Sequence, residues 1–325
     1  LHSQLLSRHA WGLLMGLSRT IQTGLVLMLL QCTQVALAMP FLNESLTYTA
    51  VYQGVFSAQQ PVAIADVTWS TSGVRLGEMA EPAVETRMTV SSEAYQFVET
   101  LYPFRLVYRS LALPDPLRSI AYEKYDSTER HGRDLTWLDE ESGVVLRYRE
   151  GHESKRTAPS QLPVTLRNWG SQQQEYRYYA KARHRALPGM VDRMALLQRI
   201  RGEELSVGAS YKVPATDGKY RYLYKVGVVT GEALVVAGRE FNALKVEFDG
   251  YRINDGKKHQ NHQPLLVWLD NTPRRTPLRF EYQSVLGRFV IELQSLDALP
   301  ARKPAGADPG FVSTDAKPAG SPGNR

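Results

Sequence analysis

From residue 44 to residue 295 the dominant period of the apolar positions is two. Leu46, Tyr48, Ala50 and Tyr52 alternate with Thr47, Thr49, Val51 and Gln53, and residues 62–69 have strand composition on both faces. The alternation sharpens later: Leu278, Phe280 and Tyr282 oppose Arg279, Glu281 and Gln283, while Phe289, Ile291 and Leu293 oppose Arg288, Val290, Glu292 and Gln294. Each such strand has one dry face and one wet face. Ser284-Val285-Leu286-Gly287 joins the last two as a hairpin, with Gly287 free to adopt an unusual turn dihedral.

Further strands are predicted over 85–91, 102–110, 118–127, 133–139 and 144–150, each bounded by Gly, Pro, Asp or a charged cluster. Tyr220, Tyr222, Tyr224, Val226 and Val228 share a face, followed by a predicted turn at Thr230-Gly231 and a strand through 233–237. Gly238 then punctuates the chain before Phe241 and the alternating Leu244, Val246 and Phe248. Only residues 191–201 look helical, with Met194, Leu197 and Ile200 beside Leu196, Pro188-Gly189 before them and Gly202 after. Strands that follow one another without intervening helices exclude a parallel βαβ protein. They predict an all-β, mainly antiparallel fold: a large curved sheet or an open, incomplete barrel with one short helix around 191–201, which would cover a sheet edge or plug the barrel end.

The two ends of the chain read differently. Arg8 and Arg19 precede the apolar run 25–30 and the small-residue pattern Ala36-x-Ala38, the order that a secretory signal peptide needs. Residues 1–38 are therefore predicted as a leader and Met39 as the mature start; a retained membrane span and a lipid anchor at Cys32 are the alternatives, the second disfavoured by Gln31 before the cysteine. Residues 301–325 are rich in Pro and Gly and predict a disordered tail, which leaves 39–300 as a single β domain.

Composition adds little to this picture but removes several classes. With 43% hydrophobic and 22% charged residues among 325, neither wholesale disorder nor a polytopic membrane protein fits. Cys32 is the only cysteine, so the exported chain would have no disulfide, thiol nucleophile or thiolate metal site. Loss of Arg8 and Arg19, and of no acid, takes the formal charge from +6 to +4, a mild excess compatible with anionic partners. The expected location is the periplasm, with a peripheral position at the outer membrane as its refinement.

Leu265-Leu266-Val267-Trp268-Leu269-Asp270, Arg274-Arg275-Thr276-Pro277-Leu278-Arg279-Phe280 and the stretch from Gly287 to Leu293 together resemble the C-terminal hairpin of the bacterial domain-of-unknown-function 3108 family. Leu46-Thr47-Tyr48, the helix end at 196–201, Gly208-Ala209-Ser210-Tyr211, Gly231-Glu232 and Gly238-Arg239-Glu240-Phe241 follow the family in order, so the resemblance spans roughly 44–295. Asn271 departs from it, standing where relatives tend to be more acidic. The resemblance implies an exported envelope protein with a mostly antiparallel β fold; it brings no catalytic residues and no cofactor.

Direct chemical signals are few. His259 and His262, three residues apart, could share a metal with Asp255 if their loop folded back, although Gly256-Lys257-Lys258 reads as a solvated hairpin tip. There is no Gly-x-Ser-x-Gly elbow and no phosphate-binding glycine loop, and Glu140-Glu141 and Glu203-Glu204 flank turn glycines where adjacent acids face water. The more informative stretch is 176–201. It carries Arg177, Lys181, Arg183, Arg185, Arg193, Arg199 and Arg201 against the single acid Asp192, with Tyr176, Tyr178 and Tyr179 at its start. Guanidinium groups pair with phosphate or carboxylate, and tyrosines suit an amphipathic interface. In the envelope the available polyanions are anionic lipid, lipopolysaccharide and acidic glycan, and no nucleic acid.

Two function classes follow. In the first, the sheet binds a lipid-like or glycan ligand without catalysis, with Arg177, Tyr178, Tyr179, Arg183, Arg185, Arg193 and Arg199 around the mouth and an interior void beneath. In the second, it is a scaffold that recognises another envelope protein through an edge strand or the basic patch, with a filled core and an exposed apolar patch. A glycan or ester hydrolase is the third, and would need two carboxylates or a His–acid pair converging in a cleft.

Overall fold

The computed structural model describes residues 42–75, 83–114, 117–126, 128, 132–139, 141–150, 169, 178–254, 257–260 and 263–295, with backbone alone at 150, 178–180, 254 and 257–260. The predicted leader and tail lie outside them.

The first half of the chain is a meander of β1 (Ser45–Gly54), β2 (Val62–Val74), β3 (Ala83–Ser91), β4 (Arg105–Leu113), β5 (Arg118–Asp126), β6 (Gly132–Asp139), β7 (Val144–Glu150) and β8 (Tyr178–Arg185). A two-residue strand, β9 (Val191–Asp192), leads into the second half: β10 (Ser210–Thr216), β11 (Arg221–Val236), β12 (Arg239–Asn254), β13 (Lys257–Gln260), β14 (Leu265–Asp270), β15 (Pro277–Ser284) and β16 (Gly287–Leu293). All join one sheet in the order β8-β7-β6-β5-β4-β3-β2-β1-β16-β15-β14-β12-β11-β10-β9, with β13 paired to β12. Every pairing is antiparallel except β9 with β10. The first and last strands thus meet in the middle, Tyr48 opposite Leu293.

The edges β8 and β9 are consecutive in the chain, separated by 186–190 alone. A flat sheet with this many strands would hold its edges roughly 65 Å apart, whereas five residues and their flanking bonds reach about 20 Å. The sheet must therefore curl. Across the seam Thr216 Oγ1 lies 3.5 Å from His184 Nε2, and a Cβ at Gly218, held at φ +80°, would collide with Thr136 on β6. The hydrogen-bonded path does not close, so the expected open, barrel-like all-β architecture is the one observed.

Two α-helices, α1 (Gln96–Leu101) and α2 (Arg193–Arg201), and a short 3-10 helix (Val55–Ser57) accompany the strands among the described residues. α2 begins two residues later than the sequence reading places it, because Val191 and Asp192 are spent on the β9 bridge. Seven of its nine residues are buried, so it does not lay one stripe on an edge; it lies inside the curl. Its side chains pack with the inward residues of β1, β2, β10–β12 and β14–β16 in the main core. Arg201 anchors its far end: the guanidinium, with no exposed surface, donates five hydrogen bonds, to both Glu44 carboxylate oxygens (2.8 Å each), Gln198 Oε1 (2.9 Å) and the carbonyls of Arg274 and Arg275 (3.0 Å each).

A second, smaller core lies on the outer face of β3–β7, where Leu111, Ala121, Leu135 and Tyr148 pack under Trp169. Glu85 and Glu123 converge there on Arg109, at 3.0 and 3.1 Å, and Arg133 stands 3.0 Å from Glu123. The indole of Trp169 donates to Glu85 (2.8 Å) and takes Arg109 against its face at 4.6 Å. Each carboxylate of this pair is matched by a guanidinium, an arrangement that joins strands rather than one poised for acid–base work.

Candidate binding trough

The inner face is built by the same alternation that the sequence displays. On β11, Tyr222, Tyr224, Val226 and Val228 point inward, and Gly250 opposite Tyr224 on β12 leaves room for that ring, since a Cβ there would fall 2.8 Å from Tyr224 Cε1. Across the curl, β4 and β5 present Tyr108 and Tyr122, stacked with centroids 6.4 Å apart.

Arg193 projects between these walls. Its origin is fixed by Asp192, a wholly buried N-cap whose carboxylate accepts from the Met194 and Ala195 amides (2.8 and 3.0 Å) and from the Ser110 and Ser119 hydroxyls (2.6 and 2.7 Å). Burial pushes the Asp192 carboxyl above its ordinary value, and those hydrogen bonds pull the other way. The Arg193 guanidinium stands 3.2 Å from Asp217 and 4.8 Å from the Tyr222 ring centre, and the Tyr222 hydroxyl donates to the same aspartate at 3.0 Å. Burial raises the phenols of Tyr108, Tyr122, Tyr222 and Tyr224, and the charge of Arg193 opposes that rise in each. Tyr222 is pushed up to about 12, so it stays protonated at neutral pH. Although surrounded by buried tyrosines, the Arg193 side chain retains 45% of its exposure.

The floor is set by register. Tyr122, Thr136 and Arg147 form one inward row across β5–β7, and Lys124, Asp134 and Arg149 form the next. Arg147 and Arg149 share Asp134, at 2.7 and 3.1 Å. Lys124 lies 5.8 Å from the Tyr108 ring, and Arg252 on β12 stacks over Tyr220. Lys124, Arg147, Arg149, Arg193 and Arg252 thus share the trough with Asp126, Asp134 and Asp217, a net positive lining with aromatic walls.

The family model "Protein of unknown function (DUF3108)" matches residues 47–294. The chain belongs to the DUF3108 family. No curated protein matches it. Among solved structures, a β-barrel-like DUF1849 protein from Brucella abortus is similar over 77% of this chain and 95% of its own, with 9% identity and a TM-score of 0.43. A protein from Bacteroides fragilis, described as exported and of YmcC-like fold, covers 78% of this chain and 94% of its own at 11% identity and a TM-score of 0.26. One from Parabacteroides distasonis, described as a lipoprotein, covers 79% and 96% at 7% identity and a TM-score of 0.28.

This DUF3108 chain distributes the basic run of its sequence over several places. Arg193 enters the trough. Arg183 and Arg185 do not: on β8 they pair with Leu146 and Val144, whereas Ala182 and His184 share the inward side with Arg147 and Val145. Both arginines are exposed on the outer side of the edge strand. Arg199 pairs with Glu203 one turn on (3.0 Å), and Arg201 is the sealed anchor. Tyr178 and Tyr179 lie on β8, described by backbone alone, and Arg177 lies outside the described residues. His259 sits on β13, while His262 and Asp255 lie outside the described residues. Asp217, Tyr108, Tyr122, Arg147 and Arg149 reach the trough through the curl, and the sequence reading did not single them out; Arg193 and the shared face of Tyr220, Tyr222 and Tyr224 are the parts of the trough that it names.

Proposed function

We propose that the chain is an exported envelope protein that binds an anionic, partly apolar ligand in the trough without chemical conversion. The observation that carries this reading is Arg193: a guanidinium held by Asp217 and Tyr222, walled by tyrosines and still nearly half exposed. Its planar fork suits two oxygens of a phosphate or carboxylate. Tyr222, protonated throughout the physiological range, commits its proton to Asp217 and so fixes the carboxylate that positions Arg193, and the ring faces accept an acyl tail or the apolar face of a sugar. Because α2 occupies the interior, the ligand binds at the open side of the helix's first turn rather than in a void along the whole barrel. Export is supported by the leader pattern of residues 1–38.

Titration with dodecyl phosphate, dodecyl maltoside and an oligosaccharide containing uronic acid, each as monomer, followed by native mass spectrometry, tests the reading and separates lipid-like from glycan ligands. Arg193→Ala should weaken the preferred anionic probe by about tenfold or more. Equal binding of the charged and uncharged detergents, or an Arg193→Ala variant that binds like the parent, would sink it. A second reading, addition of a strand from another envelope protein, draws on β8, which ends the sheet and carries exposed Arg183 and Arg185. That reading predicts a peptide partner whose capture is unaffected by Arg193→Ala.

A further inference from the structure

Exposed large apolar residues collect at one end of the sheet. β1–β2, β3–β4 and β15–β16 are antiparallel hairpins whose turns point the same way, and their strands are neighbours in the order β4-β3-β2-β1-β16-β15. The two central turns expose Val55 (60%), Phe56 (67%), Val285 (100%) and Leu286 (49%). The adjoining β3–β4 loop adds Phe97 and Leu101 from α1 and Tyr102 beyond it, all more than half exposed.

These turns are tied to each other. The Val55 amide and the Tyr52 hydroxyl both donate to the Leu286 carbonyl (3.3 and 2.6 Å), and Tyr52 packs on Phe289 with centroids 5.0 Å apart. Within residues 54–61 the Gln59 and Gln60 amides donate to the carbonyls of Gly54 and Ser57 (2.9 Å each), and the Ser57 hydroxyl donates to the Gln60 carbonyl (2.6 Å). In the other turn the Leu286 amide donates to Ser284 Oγ and that hydroxyl to the Gly287 carbonyl, 3.1 Å each. The sequences Gly-Val-Phe-Ser-Ala-Gln-Gln-Pro and Gln-Ser-Val-Leu-Gly contain no charge. Behind them the charges are paired: Arg288 with Glu281 at 2.6 Å, and Arg105 with Glu99 at 2.7 Å and Glu93 at 3.7 Å.

We propose that this uncharged tip, led by Phe56 and Val285, seats the protein in the interfacial zone of a lipid bilayer. Backbone groups already bonded to one another can leave water at low cost, and absence of charge removes the main penalty for doing so. A side chain as free-standing as Val285 offers a rigid partner surface little to pack against, whereas fluid acyl chains close around it from every side. Tyr102, exposed just beyond α1, suits the headgroup level. The charges behind the tip, two guanidinium groups against three carboxylates, give no attraction to anionic lipid, so attachment should not depend on it. The inference is independent of the trough.

Flotation of the chain, purified after export, with vesicles of phosphatidylcholine and phosphatidylethanolamine tests it. The protein should float with the vesicles equally at low and high salt, and Phe56→Ser/Val285→Ser should reduce the bound fraction's partition constant by about tenfold or more. Because both residues are exposed, the variant should keep the parent's unfolding midpoint. A Val285→Trp variant should show fluorescence quenched by lipids brominated near the headgroup end of the chains. Failure of the parent to float, release by salt, or equal flotation of the double variant would overturn the proposal. So would a dimer in sedimentation velocity that the double variant abolishes, which would assign the tip to a second copy. Arg193→Ala should float like the parent, which keeps a failure of the ligand reading distinct from a failure of this one.

Discussion

Arg193 and Arg201 stand at the two ends of one nine-residue helix and do opposite things. Arg201 has all five of its N–H groups engaged and no exposed surface, with Glu44 brought from the start of the first strand to meet it. Arg193 has one carboxylate, one ring face and nearly half its surface left over. A guanidinium whose donors are all satisfied internally is part of the frame, whereas one partly satisfied at an open side is available to a ligand. The difference teaches that the basic residues of 176–201 cannot be weighed by count.

The largest effect that would sharpen this contrast is on stability. Arg201→Met leaves Glu44 as an unpaired buried charge and should cost about 3–5 kcal/mol by urea unfolding. Arg193→Met should change stability by no more than about 1 kcal/mol. Replacing both partners, Arg201→Met with Glu44→Leu, should recover most of the loss, because the stranded charge is gone. Comparable costs for the two single arginine variants would break the comparison.

Asp192 comes next, because it sets where Arg193 emerges. Asp192→Ala removes the cap of two amides and strips the Ser110 and Ser119 hydroxyls of their acceptor, for a loss of about 2–3 kcal/mol. Asp192→Asn keeps a capping oxygen and should cost less. Its pH dependence has a defined sign. Burial raises the folded carboxyl above its ordinary 3.8, so the folded state binds the proton more tightly than the unfolded chain does. The resulting stabilisation is full below 3.8 and is lost as pH rises through the folded value. Relative to Asp192→Asn, the parent should therefore gain stability on acidification across that window; a flat difference between the two unfolding curves would refute the assignment.

How much of this was legible in the sequence depends on the range of the interaction. The burial of Leu46, Tyr48, Ala50 and Tyr52 follows their alternation without exception, because one strand between two neighbours needs only local periodicity. The predicted turn at Thr230-Gly231 is instead a register shift between Val228 and Thr230 inside a sixteen-residue strand: Val229 is the extra residue, and pairing with β12 continues on both sides of it, Gly231 included. The strand predicted from 102 starts at Arg105 because 96–101 form α1, too short to display a period. The trough was legible only in halves. Tyr220, Tyr222 and Tyr224 share a strand face by local rule, but Asp217 meets Arg193, and Tyr108 meets the trough, only because the edges of the sheet come together. Arg183 and Arg185 turned outward for the same local reason that the tyrosines turned inward: on a strand, alternate positions have no choice of side.

A third ion pair marks the weak end of the scale that Arg201 and Arg193 define. Glu99 on α1 is held by both forks of Arg105, at 2.7 and 2.8 Å, and by the Ser92 hydroxyl, all in partial contact with solvent. The hydrogen bonds from Arg105 first, and then that from Ser92, bring its carboxyl down to about 2. The folded value lies below the unfolded one, so whatever the pair contributes is complete above 4.5 and disappears as pH falls through about 2. Glu99→Gln should leave the global unfolding midpoint almost unchanged, since pairs in partial contact with solvent are screened by water and salt. Its effect should be local: faster amide exchange at Tyr102, whose N–H closes the helix on the Val98 carbonyl. A carboxyl carbon titration by NMR checks the premise directly, and a Glu99 midpoint at the ordinary 4.5 would show that α1 is not clamped by Arg105 in solution.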